Sequence, residues 1–318
     1  MRRTLGYLAF VVGVVLIALS PLLRWYAYPR VAKAPTDVYD RSNTIGTGTY
    51  FDAKTLQPIG PDPLVNATIA KGDPQASTHD IVVISINGKT YDKSNGNVLS
   101  YSQDNYVMDR VTGYAVHCCG EYPRHEGLTL KFPFNTEKRT YLFYDSTALK
   151  AFPASYTRTE EVAGLQCYVF VSRVPQTLIG SIGLPGKLAS HPDTPSVTTD
   201  RYYQAVTTLW VEPFTGAIIK VKQDARQWLT DSAGLNLMTV ADTHFHSSQA
   251  DIDDTASQIR TKFSQLQLVR NVLPLWGPIG GLILAVVGAV LLIGRRRKTG
   301  ASSRGAPATG PSAVEASV

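Results

Sequence analysis

Two long apolar runs, residues 5–23 and 272–293, bracket this chain and constrain everything between them. A helix needs about 20 apolar residues to cross the hydrocarbon core of a bilayer, and each run is long enough. The sequence therefore predicts two transmembrane helices, 5–23 and 272–293, with one large domain, 24–271, held between them, a short N-terminal segment, 1–4, and a tail, 294–318. That tail, rich in Ala, Ser, Gly and Pro, reads as disordered.

Charge orients the frame. Arg2 and Arg3 precede the first run, and Arg295, Arg296, Arg297 and Lys298 follow the second. The positive-inside bias then predicts both termini in the cytoplasm and the large domain outside it. Arg24, Arg30 and Lys33 oppose this for the first span alone, but two spans must bring the termini to one side. The rival reading is a cleaved signal peptide at Ala32-Lys33-Ala34; Pro35 would follow the cut and the site lies well beyond the apolar run, so a retained anchor is expected.

The net charge of +6 collects at the membrane flanks and the tail, leaving the stretch between the spans close to neutral. Basic flanks suit anionic headgroups. No basic patch interleaved with aromatics is left for a nucleic acid.

The middle domain reads as predominantly antiparallel β, giving an α+β chain with two flanking helices. Short runs rich in Val, Ile, Tyr and Thr recur at 81–86, 106–108, 114–117, 128–132, 141–144, 166–171, 205–211, 217–222 and 237–246, between Gly, Pro, Asn and Asp punctuation. Asp92 to Gly96, Asp109 to Gly113 and Glu212 to Gly216 share an acid four residues before a Gly. This is the requirement of a tight turn in which Gly takes positive φ and the carboxylate caps backbone N–H groups. A calcium loop would need more oxygens than one carboxylate per copy. Helical spacing appears at Ile252, Ala256, Ile259, Phe263 and Leu266 behind Asp251, Asp253 and Asp254, predicting a helix that serves as a stiff stalk toward the second span. Within that span Gly277, Gly281, Ala285 and Ala289 repeat every fourth residue, a face that admits close approach of another helix, either the first span at Ala9 and Gly13 or a second protein.

Cys118, Cys119 and Cys167 all lie in the outer domain. In an oxidising compartment a pair distant in sequence is expected to bridge, so Cys167 is predicted to bond Cys118 or Cys119, closing a loop worth roughly 3–4 kcal/mol in the chain-entropy account. The alternative, a metal held by His117, Cys118, Cys119 and His125, has suitable ligand types without a recognised spacing. His244 and His246 share a strand face but lack a third ligand in sequence. No catalytic motif is present, and Gly180 to Gly186 does not follow a nucleotide fingerprint, so neither enzyme chemistry nor a cofactor is expected. Leu178, Ile179, Ile182, Leu184 and Leu188, set among Gly and Pro with no acid, instead read as a mobile apolar loop that contacts lipid or gates an apolar cavity, or as a buried connection.

Taken with both spans, the run Tyr106 to Gly113, the cluster His117-Cys118-Cys119-Gly120 and the segment Thr208 to Gly216 resemble an actinobacterial envelope family labelled porin PorA, whose mycobacterial relatives include a polar growth factor. The resemblance implies a periplasmic domain that handles trehalose monomycolate or a related lipid beside a mycolate-exporting transporter at growing poles. The residues argue against a membrane barrel, which needs strands of about ten residues with a lipid-facing apolar stripe. The expected function is a lipid-binding accessory protein of envelope assembly with membrane lipid or mycolate glycolipid as partner; the alternative is a membrane scaffold that recruits another protein through its helices.

Overall fold

The computed structural model describes residues 2–189 and 191–293 and divides the chain into two units, one from its two ends and one from residues 30–266. The predicted tail, with Arg295 to Lys298, lies outside the described residues.

The terminal unit holds α1 (Arg2–Leu22) and α4 (Leu273–Ile293), each apolar enough to cross a membrane. They pack on each other through glycine. A Cβ on Gly281 would fall 2.6 Å from the Gly13 carbonyl oxygen, and one on Gly277 would fall 2.6 Å from Ser20 Oγ. Gly13 in turn abuts the backbone of Gly281 and Ala285, and Gly288 meets Gly6 and Phe10. Gly277, Gly281 and Ala285 thus face α1, and the partner helix comes from the same chain. A π-helical turn, Leu23–Ala27, separates α1 from the short α2 (Tyr28–Val31).

The second unit is a single ten-stranded antiparallel sheet curled into a half-barrel. Its strands are β1 (Tyr39–Asp52), β2 (Gln57–Gly72), β3 (Ile81–Asp92), β4 (Val98–Asp109), β5 (Tyr141–Asp145), β6 (Lys150–Val162), β7 (Leu165–Pro185), β8 (Ser196–Glu212), β9 (Ala217–Thr230) and β10 (Asn236–Ser247). They run in the order β4-β3-β2-β1-β10-β9-β8-β7-β6-β5. The two edges are therefore consecutive in the chain, and the connection between them, 110–140, acts as a strap. It bridges to β4 at Asn105–Tyr122 and Met108–Ala115 and to β5 at Leu128–Phe143. The predicted strands at 114–117 and 128–132 are these isolated bridges. Unpaired edges invite association, and the strap covers the Asn105–Asp109 end of β4 and part of β5.

The acid-to-glycine turns form as predicted. Gly96, Gly113 and Gly216 take φ of 77°, 76° and 74°. Each donates its N–H to the carbonyl of the acid four residues back, at 2.9 Å. The carboxylates cap the turn: Asp92 accepts from Ser94 N–H at 2.7 Å, Asp109 from Thr112 N–H at 2.7 Å, and Glu212 from Thr215 N–H at 2.8 Å.

The helix expected as a stiff stalk toward the second span forms as α3 (Gln249–Gln267), and its apolar stripe lies on the sheet. Ile252 and Ala256 are buried with Val162, Leu165, Cys167, Trp210 and Ile219, and Phe263 meets Phe214 edge-on at 5.1 Å. Ser248 Oγ donates to Asp251 and accepts the Asp251 N–H, a reciprocal cap at the helix start. Burying this apolar stripe against Val162 and Trp210 is what seats that face of the helix, while the opposite face stays exposed.

The predicted bridge to Cys167 is corrected. Cys118 and Cys119 are bonded to each other, with Cα atoms 3.8 Å apart, and Cys167 is free. It lies fully buried under α3, where removal from water pushes its thiol up to about 12. Its environment is that of a small core hydrophobe.

The segment expected as a mobile apolar loop is also ordered differently. Residues 178–185 complete β7, and Gly186–Leu188 is a 3₁₀ turn. Leu184 is buried with Ala189 and Leu229, and Leu188 packs on that cluster. Ile179 packs on Val174, Tyr203 and Ala205, while Leu178 and Ile182 face solvent. Pairing with β8 from Leu178–Tyr202 to Pro185–Ser196 is the reason.

Candidate functional site

Alternation along the strands sends one face of the curled sheet inward. On β4 the inward positions are Ser100, Ser102, Asp104 and Tyr106; on β9 they are Gln223, Ala225 and Gln227; on β10 they are Thr243 and Phe245. All of these but Tyr106 line a trough of about 620 Å³ that also takes in Asn66, Thr90 and Arg201. Asn66, Ser146, Gln223 and Phe245 are shared with an inner cavity of about 270 Å³, bordered further by Tyr106, Thr129, Tyr144, Asp145, Ser172 and Thr207. Hydroxyls and amides share this surface with apolar side chains, Leu209, Ile218 and Val221 in the inner cavity and Leu99 and Val240 in the trough. None of Leu178, Ile179, Ile182, Leu184 and Leu188 borders either space.

The opposite face carries the intervening residues. Gln204, Asp224, Arg226, Asp242 and His244 line a shallow depression there. His244 Nδ1 lies 2.8 Å from Asp224 Oδ1. His246 Nδ1 lies 3.0 Å from the Ser247 carbonyl oxygen. Among the described residues no three His, Cys, Asp or Glu side chains could hold a metal.

At the inner end of the trough the two sheet edges meet through a histidine of the strap. His125 is fully buried between Tyr106 of β4 and Tyr144 of β5, with ring centroids at 4.0 Å and 4.8 Å. Glu121 fixes it: Oε1 accepts the His125 N–H at 2.7 Å and lies 3.2 Å from Nδ1, while Oε2 is 2.9 Å from His117 Nδ1. Burial lowers the His125 pKa despite this carboxylate, whereas hydrogen bonds from His125 and His117 outweigh desolvation to hold Glu121 below its ordinary value. Nδ1–H donating to Glu121 leaves Nε2 as a bare acceptor, and Nε2 and the Tyr144 hydroxyl both lack a partner.

Asp145 closes the β5–β6 turn. Its Oδ1 accepts from Thr147 and Ala148 N–H at 3.0 and 2.9 Å, and its Oδ2 accepts from Tyr203 Oη at 2.9 Å. Desolvation still raises its pKa, as it does for Asp104. Sequence reading named His117, Cys118, Cys119 and His125 as one candidate cluster; the structure turns His117 and His125 onto Glu121 and joins the two sulfurs. The trough itself was missed, although the alternation Ser100, Ser102, Asp104 and Gln223, Gln227 carries its signal.

The sequence model of the family described as Porin PorA matches residues 5–290. Two relatives are also similar: a Porin PorA of Corynebacterium amycolatum, 23% identical over 69% of this chain and 76% of that protein, and a Porin PorA of Corynebacterium resistens, 23% identical over 93% of this chain and 98% of that protein. These names overturn the expected lipid-binding accessory role, since family and relatives alike are named as porins and nothing in them speaks of mycolate transport.

Proposed function

Because this chain belongs to the porin PorA family, we propose that it is a non-enzymatic pore protein of the cell envelope. In this reading α1 and α4 cross the membrane, both termini are cytoplasmic, and the concave face of the sheet lines an aqueous path for small polar solutes. The observation that carries it is the trough: a broad concavity walled by Ser100, Ser102, Thr90, Asn66, Gln223 and Thr243, groups that exchange hydrogen bonds with water and with passing solutes at little cost.

The sheet does not act as a lipid-embedded barrel. Its opposite face bears Asp224, Arg226, Asp242 and His244, and a cation such as Arg at the bilayer midplane costs about 2–4 kcal/mol on such a surface. The bilayer crossing falls to the helices. One α1–α4 pair, packed backbone to backbone at Gly13 and Gly281, leaves no passage between its members, so several copies are needed to surround one.

The test is conductance. Purified full-length protein reconstituted in planar bilayers is expected to give discrete current steps. Replacing Gln223 and Thr243 together with Trp should reduce the step size about twofold or more while the protein stays folded. Folded, reconstituted protein that passes no current above the lipid baseline overturns the reading.

A further inference from the structure

The trough holds a cation whose hydrogen-bonding capacity is only partly used. Arg201 of β8 borders it, partly buried, together with Gln227 of β9. Arg201 pairs with Leu229 and Gln227 with Tyr203, so the two side chains are diagonal neighbours on one face of the sheet. Gln227 Oε1 accepts from Arg201 Nε at 3.0 Å and also from Nη2. A guanidinium carries five N–H donors in a planar fork. Gln227 therefore occupies the Nε edge and leaves both N–H groups of Nη1 and one of Nη2, the pair of parallel donors that matches the two oxygens of a carboxylate. Among the described residues no ion pair joins Arg201 to an acid. Burial lowers its pKa with no neighbouring carboxylate to offset it, the state that a bound anion relieves.

The other charges of the trough do not fill this role. Asp52 is held by its own turn, accepting from Lys54 N–H and Thr55 Oγ1, each at 3.0 Å, and Lys54 is exposed at the rim. Asp104 accepts from Tyr106 Oη at 3.3 Å, and desolvation raises its pKa, so its charge is the less favoured form. The rest of the wall offers hydroxyls and amides at Thr90, Ser100, Ser102, Asn66 and Asn97. We propose that the trough binds a sugar acid, its carboxylate on the open fork of Arg201 and its hydroxyls on this polar wall, with Gln227 as the residue that positions the guanidinium. A neutral sugar leaves Arg201 without a counter-charge, an amino sugar adds a second cation, and an alkanoate leaves the polar wall without partners. One guanidinium balances a carboxylate, whereas a phosphate dianion would keep an uncompensated charge.

The proposal names the solute class for the path described above and rests on that reading of the trough, but its test needs no membrane. Full-length protein in detergent is titrated calorimetrically at neutral pH with sodium glucuronate, glucose, glucosamine hydrochloride and sodium hexanoate. Saturable binding of glucuronate is expected, with each of the other three weaker by roughly tenfold or more. Gln227→Glu places a carboxylate on Arg201 without changing the size of the side chain; it should weaken glucuronate by a similar factor while the melting temperature holds or rises. Arg201→Lys keeps the charge and removes the fork, and should narrow the preference for glucuronate over glucose. Absence of saturable glucuronate binding overturns the proposal, as does glucose or hexanoate binding as tightly, or unchanged glucuronate affinity in Gln227→Glu. Should Gln227→Glu fail to fold, Arg201→Lys decides: an unaltered preference for glucuronate over glucose rejects the site. Failure here leaves the conductance experiment untouched, and loss of conductance with intact glucuronate binding leaves this site standing.

Discussion

His125 is neutral because its surroundings leave it no alternative. Its Nε2 lies against Tyr106 and Tyr144 with no partner, so a second proton would sit in an aromatic seam. Glu121 and, more remotely, Asp104 favour the charged form, His117 opposes it, and desolvation outweighs them all. A base whose folded pKa is lowered binds fewer protons than the unfolded chain, so stability is fully present above the unfolded value of about 6.5 and declines as pH falls below it. Thermal melts between pH 7 and 5 are expected to show this decline, with a shallower slope in His125→Gln. An equal slope in the variant would place proton uptake on another group; Glu121, whose pKa is lowered, acts in a more acidic window. Lys131 shows the same physics with an amine: burial lowers it to about 7, and its Nζ is satisfied by the Val111 carbonyl at 2.9 Å and the Phe134 ring at 4.2 Å. Lys131 is unmarked in the sequence and His125 stands out there only as a neighbour of Cys118 and Cys119, because burial is invisible.

Among the elements, the hairpin turns were the most legible. The pattern of an acid four residues before a Gly requires nothing distant, since the carboxylate and the left-handed residue solve a local problem. Its blind spot is instructive. The turns at Asp52 to Leu56 and Asp145 to Leu149 use the same cap but place Leu at φ 54° and 52°, so a rule keyed to Gly passes over them. β1 and β2 escaped detection for a related reason: Thr, Asn, Gly and Pro interrupt them, and much of their surface stays partly exposed. Gly216 is where the turn and the strap meet, because a Cβ there would collide with the Phe132 carbonyl. Gly216→Val combines that collision with a β-branched residue at positive φ, and should destabilise the sheet unit by about 2–4 kcal/mol in denaturant melts. A loss well under 1 kcal/mol would show that the strap is not seated on this turn.

For the whole molecule, the decisive contact within the terminal unit is glycine on glycine. Gly13→Leu or Gly281→Leu cannot be accommodated between α1 and α4 without parting the helices. Cross-linking of cysteines placed along the two helices should fall severalfold in either variant, and the conductance steps should change with it. Undiminished cross-linking would mean that the helices associate through another face. Two apolar spans, a near-neutral sheet-rich middle and capped turns were determined by the sequence alone, because length, charge and turn chemistry are properties of short segments. Only the tertiary structure decided that Cys118 bonds Cys119, that α3 docks on the sheet, that Leu178 to Leu188 belongs to a strand and a short turn, and that the strap joins both edges through His125. Each of these depends on which residues far apart in the chain are brought together, and pairing β1 with β10 while β4 and β5 become the edges is a choice no local pattern encodes.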